Sequence, residues 1–425
     1  MTHSAATASS APAAGDAAAI RIAPRIQSMK PSSTLAISAR VAAMKAGGRN
    51  VIGFGTGEPD FNTPEVLSDA AVSALRDGHT HYVAVPGPAP ARAAIAAAMQ
   101  RRLNLACGVD DIVITVGGKS AIYFTMLALI EPGRGDEVIV PTPAWVSYRP
   151  MIELAGGRVV EVAGSMDREF RVTPEDLEAA ITDRTVAVCL NSPSNPCGTM
   201  YGPEELEAIA AVLRRHPHVS VVSDELYEQL VYGDVPHVAF ATLPGMADRT
   251  VTINGLSKAY AMTGWRLGFI VATAPGVAKA IAKVQGQVTS HAASFTYAAV
   301  EAAMNGAADE DLAAMRDVFI RRGAMMHERL VAIDGVRCPR PTGAFYCFPD
   351  IRAFFGATTP AGRAIDSSLS FAEALLEEAE VAVVPGDAFG AAGEGHVRLS
   401  FACADELIAE GLDRIARWAG TLVRG

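Results

Sequence analysis

From residue 112 onward, short Val/Ile-rich runs alternate with longer stretches of helical periodicity. The runs are 112–116, 137–140, 185–190, 219–222, 250–253 and 267–271. They are continuously apolar, so both of their faces must be covered, which predicts a mostly parallel sheet with helices on either side. This is the pattern of an α/β domain. After about residue 300 it gives way to a long helical stretch over 309–333 and short strands around 344–348, 381–384 and 396–401. A closing helix follows from about 405 to 418. The second pattern predicts a smaller α+β domain, and the segment before Thr63, with Gly/Pro signals from Gly53 to Pro59, is expected to join it. The expected division is a discontinuous small domain over 21–65 and 305–425 and a large ligand-binding domain over 66–304. Residues 1–20 form an Ala/Ser-rich tail with little to bury and are expected to be disordered.

A chain of 425 residues, 50% hydrophobic and 19% charged, buries a large core. Its net charge of −10 and its lack of a Lys/Arg-rich block argue against nucleic acid or an anionic membrane as partner. A small-molecule ligand fits better. The six cysteines (Cys107, Cys189, Cys197, Cys338, Cys347 and Cys403) show no C-x-x-C spacing, and buried, reduced thiols are expected rather than a metal site. No run of about twenty apolar residues is free of charges or breakers, and the N-terminus lacks the pattern of a secretory signal. The expected location is the cytoplasm.

In parallel sheets ligands bind beyond the carboxyl ends of the strands, and the polar signatures fall there. Gly117-Gly118-Lys119 follows the first run, Asn191 to Pro196 the third, Asp224 the fourth and Gly255 to Lys258 the fifth. Alone, a glycine pair before a helix is a tight turn; with free N–H groups at a helix start it also suits a phosphate. Asp224 reads as a helix N-cap or as a carboxylate that keeps a pyridine nitrogen protonated. Asn195, between Pro193 and Pro196, and Tyr227 can reach a ring oxygen. Trp145 is core or a ring stacked on a planar cofactor. Arg398, in an alternating strand, faces solvent or grips a carboxylate. A lysine ordinarily titrates near 10.4, but Lys258 beside cations such as Arg266 is pushed towards a neutral, nucleophilic amine. Such an amine holds an aldehyde cofactor, pyridoxal phosphate, as an imine.

With these motifs in hand, the chain resembles the class I, fold type I aminotransferases, in particular the bacterial branch of aspartate aminotransferases and their prephenate-using relatives. The resemblance runs from about Pro31 to the C-terminus. It rests on G-L-S-K-A-Y-A-M-T-G-W-R-L-G from Gly255, G-E-P-D-F-N-T-P from Gly57, G-G-K from Gly117 and P-A-W from Pro143. N-S-P-S-N-P from Asn191, D-E-L-Y from Asp224, G-A-F-Y from Gly343 and H-V-R-L-S-F from His396 extend it. It implies pyridoxal 5'-phosphate bound as an imine on Lys258, with Asp224 on the pyridine nitrogen, Tyr227 and Asn195 on the ring oxygen and Trp145 stacked on the ring. Arg266 and the amides near Gly118 and Lys119 would take the phosphate. Tyr82 would reach the cofactor of a second subunit, making a homodimer. Gly57, Asn195 and Arg398 would bind the substrate α-carboxylate and Lys119 a distal one, while Thr34, in Pro31-Ser32-Ser33-Thr34, matches a residue of prephenate-using members.

Three departures stand out. Gly255 replaces a serine that many members place on the phosphate, His291 lies in a usually polar loop, and 83–88 is rich in proline. The implied activity is ping-pong transamination of aspartate or glutamate with 2-oxoglutarate, oxaloacetate or prephenate. An aminotransferase for alanine or aromatic amino acids, or a β-lyase or cyclising enzyme, would hold the cofactor with the same residues. A ligand-sensing domain of a transcription regulator would need a DNA-binding module, which twenty Ala/Ser-rich residues do not supply.

Overall fold

The computed structural model describes residues 20–27, 29 and 33–423, with the side chains at 33–35 and 38 excepted. Apart from Ile20, the expected tail lies outside the described residues. Internal contacts separate residues 1–31 from residues 32–425. The first unit contains the short helix Pro24–Gln27, and the second contains all the strands described below.

These are β1 (Ile52–Gly53), β2 (Ile112–Val116), β3 (Glu137–Thr142), β4 (Arg158–Ala163), β5 (Thr185–Asn191) and β6 (Ser220–Asp224). They continue with β7 (Thr250–Gly255), β8 (Leu267–Val271), β9 (Tyr346–Cys347), β10 (Val381–Ala382), β11 (Val384–Pro385) and β12 (Val397–Ser400). Seven of them form one sheet in the order β2-β8-β7-β6-β5-β3-β4. Every neighbouring pair is parallel except the two that β8 makes with β2 and β7.

The continuous apolar runs follow from burial on both faces. On β3, Val138 and Val140 pack with helix Gly117–Leu129, whereas Ile139 packs with helix Pro203–Arg215. On β2, Ile112 and Ile114 face helix Ala89–Leu103 while Val113 faces the other side. The α/β fold class is thus as expected, with one addition. The runs read from the sequence omit β4, an edge strand in which only Val162 is buried and Arg158 and Ala163 are exposed. With one side unpaired and charged residues among its valines, it lacks the signature of a buried strand.

A second, antiparallel sheet has the order β11-β12-β9, and β1 pairs with β10 in parallel. Around these lies a separate core of Phe319, Phe345, Phe401 and Trp418. Helix Asp405–Ala419 closes it with Ile408, Leu412, Ile415 and Trp418, spaced as one helical face.

The topology sets the position of the site. The carboxyl ends of β2, β5, β6 and β7 share one edge of the large sheet. Because β8 runs the other way, its beginning, just after Arg266, reaches the same edge. Gly255 and Gly268 are register partners there, and a Cβ at Gly255 would sit 2.9 Å from both the Gly268 Cα and the Leu267 carbonyl oxygen. The glycine that departs from the family pattern is therefore required by the close approach of β8.

Candidate functional site

At this edge lies a cavity of about 230 Å³. Of the residues singled out in the sequence, Gly57, Gly118, Lys119, Trp145, Asn195, Asp224, Tyr227, Lys258 and Arg398 line it. At one end, helix Gly117–Leu129 begins directly after β2 and leaves its first N–H groups without intrahelical partners. Gly117 has φ +79°, and a Cβ there would be 2.5 Å from the Arg266 guanidinium. Arg266 does not line the cavity; it lies across the helix start, with Nη1 donating to the Thr263 carbonyl at 2.8 Å. Unpaired N–H groups, a positive helix end and a guanidinium together form an anion cradle.

Asp224 ends β6 and is almost fully buried. The Tyr148 hydroxyl donates to its Oδ2 at 2.6 Å, and Oδ1 accepts from the Leu226 N–H at 3.3 Å. Burial pushes its pKa up to about 6, against the lowering effect of those two hydrogen bonds. Asn191 donates to the Asp224 carbonyl at 3.0 Å and accepts from the Asn195 N–H at 2.9 Å, so the Pro-bounded loop is tied to the end of β6. Trp145 meets Tyr148 edge-on at 5.4 Å, and the Lys119 ammonium lies 5.0 Å from the Trp145 ring centre.

Lys258 keeps some accessible surface, the part that faces the cavity, but protein surrounds its amine on the other sides. Nζ donates to the Gly57 carbonyl at 2.5 Å. Its pKa falls to about 8, first through burial and then through Arg398 and Arg266, with Glu58 and Asp224 opposing. Arg266, the cation named from the sequence, contributes less than Arg398.

Arg398 is 2% exposed. Nη1 donates to Asn195 Oδ1 at 3.0 Å and Nη2 to the Gly55 carbonyl at 2.7 Å, while Nε is buried without a partner. The guanidinium lies 4.7 Å from the Tyr346 ring centre and 5.2 Å from that of Phe389. Among the described residues no carboxylate pairs with it. Two of its five N–H groups are engaged, and the rest suit a bound carboxylate.

Two named residues stand apart. Tyr82 is 91% exposed and lies edge-on to His291 at 5.7 Å. The Thr34 side chain and the Pro31-Ser32 part of its motif lie outside the described residues. His291 anchors the segment after Tyr82: Nε2 accepts from the Val83 N–H at 3.3 Å, and Nδ1 lies 2.6 Å from the Ala292 carbonyl. The proline-rich loop is fastened to the large sheet by Gln285, which donates to the Val85 and Ile114 carbonyls at 2.7 and 2.9 Å. None of residues 83–88 lines the cavity.

Sequence reasoning missed Tyr148, Tyr346 and Asn191 as cavity residues. Tyr148 lies three residues after Trp145, and Tyr346 ends the G-A-F-Y stretch, so both motifs were visible without a role for the tyrosine. All six cysteines are unpaired; Cys189, Cys197 and Cys347 are buried, whereas Cys107, Cys338 and Cys403 are only partly so, a correction to the expectation of uniformly buried thiols. Among the described residues no group of three or more His, Cys, Asp or Glu is arranged to hold a metal, and no helix is long and apolar enough to cross a membrane.

The family model for aminotransferases of class I and II matches residues 49–415. The chain is 44% identical to the aspartate/prephenate aminotransferase of Cereibacter sphaeroides, over 93% of this chain and 97% of that protein. The crystal structure of the aspartate aminotransferase from Rhizobium meliloti superposes with a TM-score of 0.91 at 43% identity, over 95% of this chain and all of that one. The Thermus thermophilus aspartate aminotransferase with maleate gives a TM-score of 0.86 at 39% identity, over 93% and 99%.

Proposed function

The chain belongs to the class I and II aminotransferases, and we propose that it transfers an amino group from aspartate or glutamate to a 2-oxo acid by a ping-pong mechanism. The acceptors are 2-oxoglutarate, oxaloacetate or prephenate. The family's cofactor is pyridoxal 5'-phosphate, and the cavity's chemistry fits it, with a carboxylate for a pyridine N–H, a cradle for a phosphate and an amine for an aldehyde. When bound, this group supplies an aldehyde that condenses with amines and a protonated ring that withdraws electrons from the α-carbon.

The protein's part follows from its own residues. Asp224 holds the proton on the pyridine nitrogen, and Tyr148, by fixing Oδ2, orients that carboxylate. The helix start near Gly118 and Lys119, with Arg266, takes the phosphate, Trp145 stacks on the ring, and Tyr227 and Asn195 reach the ring oxygen. Arg398, Asn195 and Gly57 hold the substrate α-carboxylate and so orient the α C–H towards Lys258. Nζ, neutral more readily than an ordinary lysine, is the base that takes that proton. The observation that carries the proposal is the pairing, in one cavity, of this amine with a buried arginine that has no acidic partner among the described residues.

Lys119 at the cavity wall supports the dicarboxylate reading, because a second cation suits a distal carboxylate. The Thermus thermophilus relative was solved with maleate, a four-carbon dicarboxylate. Use of prephenate is proposed from the Thr34 motif and the Cereibacter sphaeroides relative's name. The exposed Tyr82 supports a homodimer in which it reaches the partner's cofactor. A cytoplasmic location and the large and small domains bounded near residues 65 and 305 belong to the same reading.

The test is spectral. Holoenzyme mixed with single amino acids is followed by its visible absorbance. Aspartate and glutamate are expected to bleach it rapidly, whereas alanine and aromatic amino acids bleach it slowly and Lys258→Ala blocks rapid turnover. A strong preference for alanine would overturn the dicarboxylate reading.

A further inference from the structure

Tyr346 touches more of the proposed machinery than any role assigned so far requires. It lies on β9, opposite Ser400 of β12, and is 0% exposed although it lines the cavity. Its hydroxyl is 3.0 Å from that of Tyr227, its ring lies under the Arg398 guanidinium at 4.7 Å, and a Cβ at Gly57 would be 3.2 Å from its oxygen. One side chain from the small antiparallel sheet thus meets three residues proposed for cofactor or substrate.

The hydrogen-bond count gives this contact a direction. Burial pushes both phenols above their ordinary pKa, so each keeps its proton. Two neutral phenols 3.0 Å apart share one hydrogen bond, which leaves one proton to be given elsewhere. If Tyr227 donated to Tyr346, its proton would be lost to the cavity. If Tyr346 donates, Tyr227 is free to donate inwards. The guanidinium over the Tyr346 ring favours the second arrangement by stabilising charge that develops on that phenol. A hydroxyl that accepts a hydrogen bond is in turn a stronger donor.

We propose that Tyr346 is a positioning residue that presets Tyr227 as a hydrogen-bond donor into the cavity and couples it to the carboxylate-binding Arg398. This rests on the reading of Tyr227 as the donor to the cofactor's ring oxygen. A stronger donor there stabilises the deprotonated ring oxygen and lowers the pKa at which the holoenzyme's visible absorbance titrates.

The experiment is a pH titration of that absorbance in four holoenzymes: wild type, Tyr346→Phe, Tyr227→Phe and the double variant. Tyr346→Phe keeps the ring under Arg398, so its melting temperature is expected within a few degrees of wild type. Its spectral pKa is expected to rise by about half a unit to one unit, the size of one modest hydrogen bond. Tyr227→Phe is expected to raise it further. Adding Tyr346→Phe to Tyr227→Phe is expected to change nothing more, because the effect passes through Tyr227. With aspartate varied from below KM to saturation, kcat of Tyr346→Phe should fall severalfold while KM stays nearly constant. A spectral pKa unchanged in Tyr346→Phe, or shifts that add fully in the double variant, would reduce Tyr346 to a packing residue and overturn the proposal. Absence of a pH-dependent visible band in the wild type would instead overturn the cofactor reading itself, and the same band and spectral pKa in Lys258→Ala would overturn the imine role of Lys258.

Discussion

The ionisation of Lys258 can be read from the rate at which apoenzyme captures pyridoxal phosphate. Burial, Arg398 and Arg266 together bring its pKa from 10.5 to about 8. The difference of 2.5 units, 10.5 minus 8, corresponds to about 300-fold more neutral amine at neutral pH than an ordinary lysine has. The sign is that of a depressed base: the reactive neutral form gains as pH rises and levels off above the folded pKa. In stopped-flow mixing from about pH 6 to about pH 10.5, the capture rate should climb about tenfold per pH unit and flatten near pH 8, whereas that of a free alkylamine should go on climbing to about pH 10.5. Replacing Arg398 with glutamine removes the second-largest cause of the depression, so the midpoint should move upward, between about 8 and 10.5. A wild-type midpoint near that of free lysine, or no upward movement in Arg398→Gln, would refute the electrostatic account of the amine.

Two further outcomes follow from the same geometry. Burial raises Asp224 to about 6, so acidification through that pH neutralises the carboxylate that should hold the protonated pyridine. The cofactor Kd, measured by equilibrium dialysis, should weaken below about pH 6 in the wild type. In Asp224→Asn it should be weak throughout and lack that acid limb. Gly255→Ser should not add a phosphate donor but lower stability, because its Cβ meets the β8 backbone at 2.9 Å. Overpacking of this kind costs about 1–3 kcal/mol, readable by urea unfolding, and an unchanged midpoint would contradict it.

How far the sequence revealed the site depended on which part of the fold carried each residue. Lys258, Asp224, Asn195 and Gly118 sit at the ends of strongly apolar strands, and parallel topology places such ends at one edge without knowledge of the loops. Arg398 comes from β12, in the small antiparallel sheet. Only likeness to known proteins could join it to the others, since its strand pattern reads equally well as solvent-facing. Tyr148 and Tyr346 were hidden for another reason. An aromatic at the start of a short helix or in a two-residue strand looks like core until its hydroxyl is seen bonded to Asp224 or Tyr227. The edge strand β4 escaped because it is half exposed, which removes the period on which strand assignment rests.

Composition alone also misleads about the field a ligand meets. The chain carries a net charge of −10, yet Lys119, Lys258, Arg266 and Arg398 gather about the cavity against Asp224 and Glu58. Screening confines exposed charges to a range of about 8 Å at physiological salt. An entering molecule therefore feels the local cations rather than the distant acidic surface. Placing four cations together in a partly desolvated space is unfavourable unless anions neutralise them; the pKa of both lysines is depressed first by burial and then by the neighbouring arginines, Arg266 for Lys119 and Arg398 with Arg266 for Lys258. A phosphate at the start of helix Gly117–Leu129 and a carboxylate at Arg398 would relieve most of that repulsion, and the charge remaining at Lys119 is what makes a second carboxylate on the substrate the better fit.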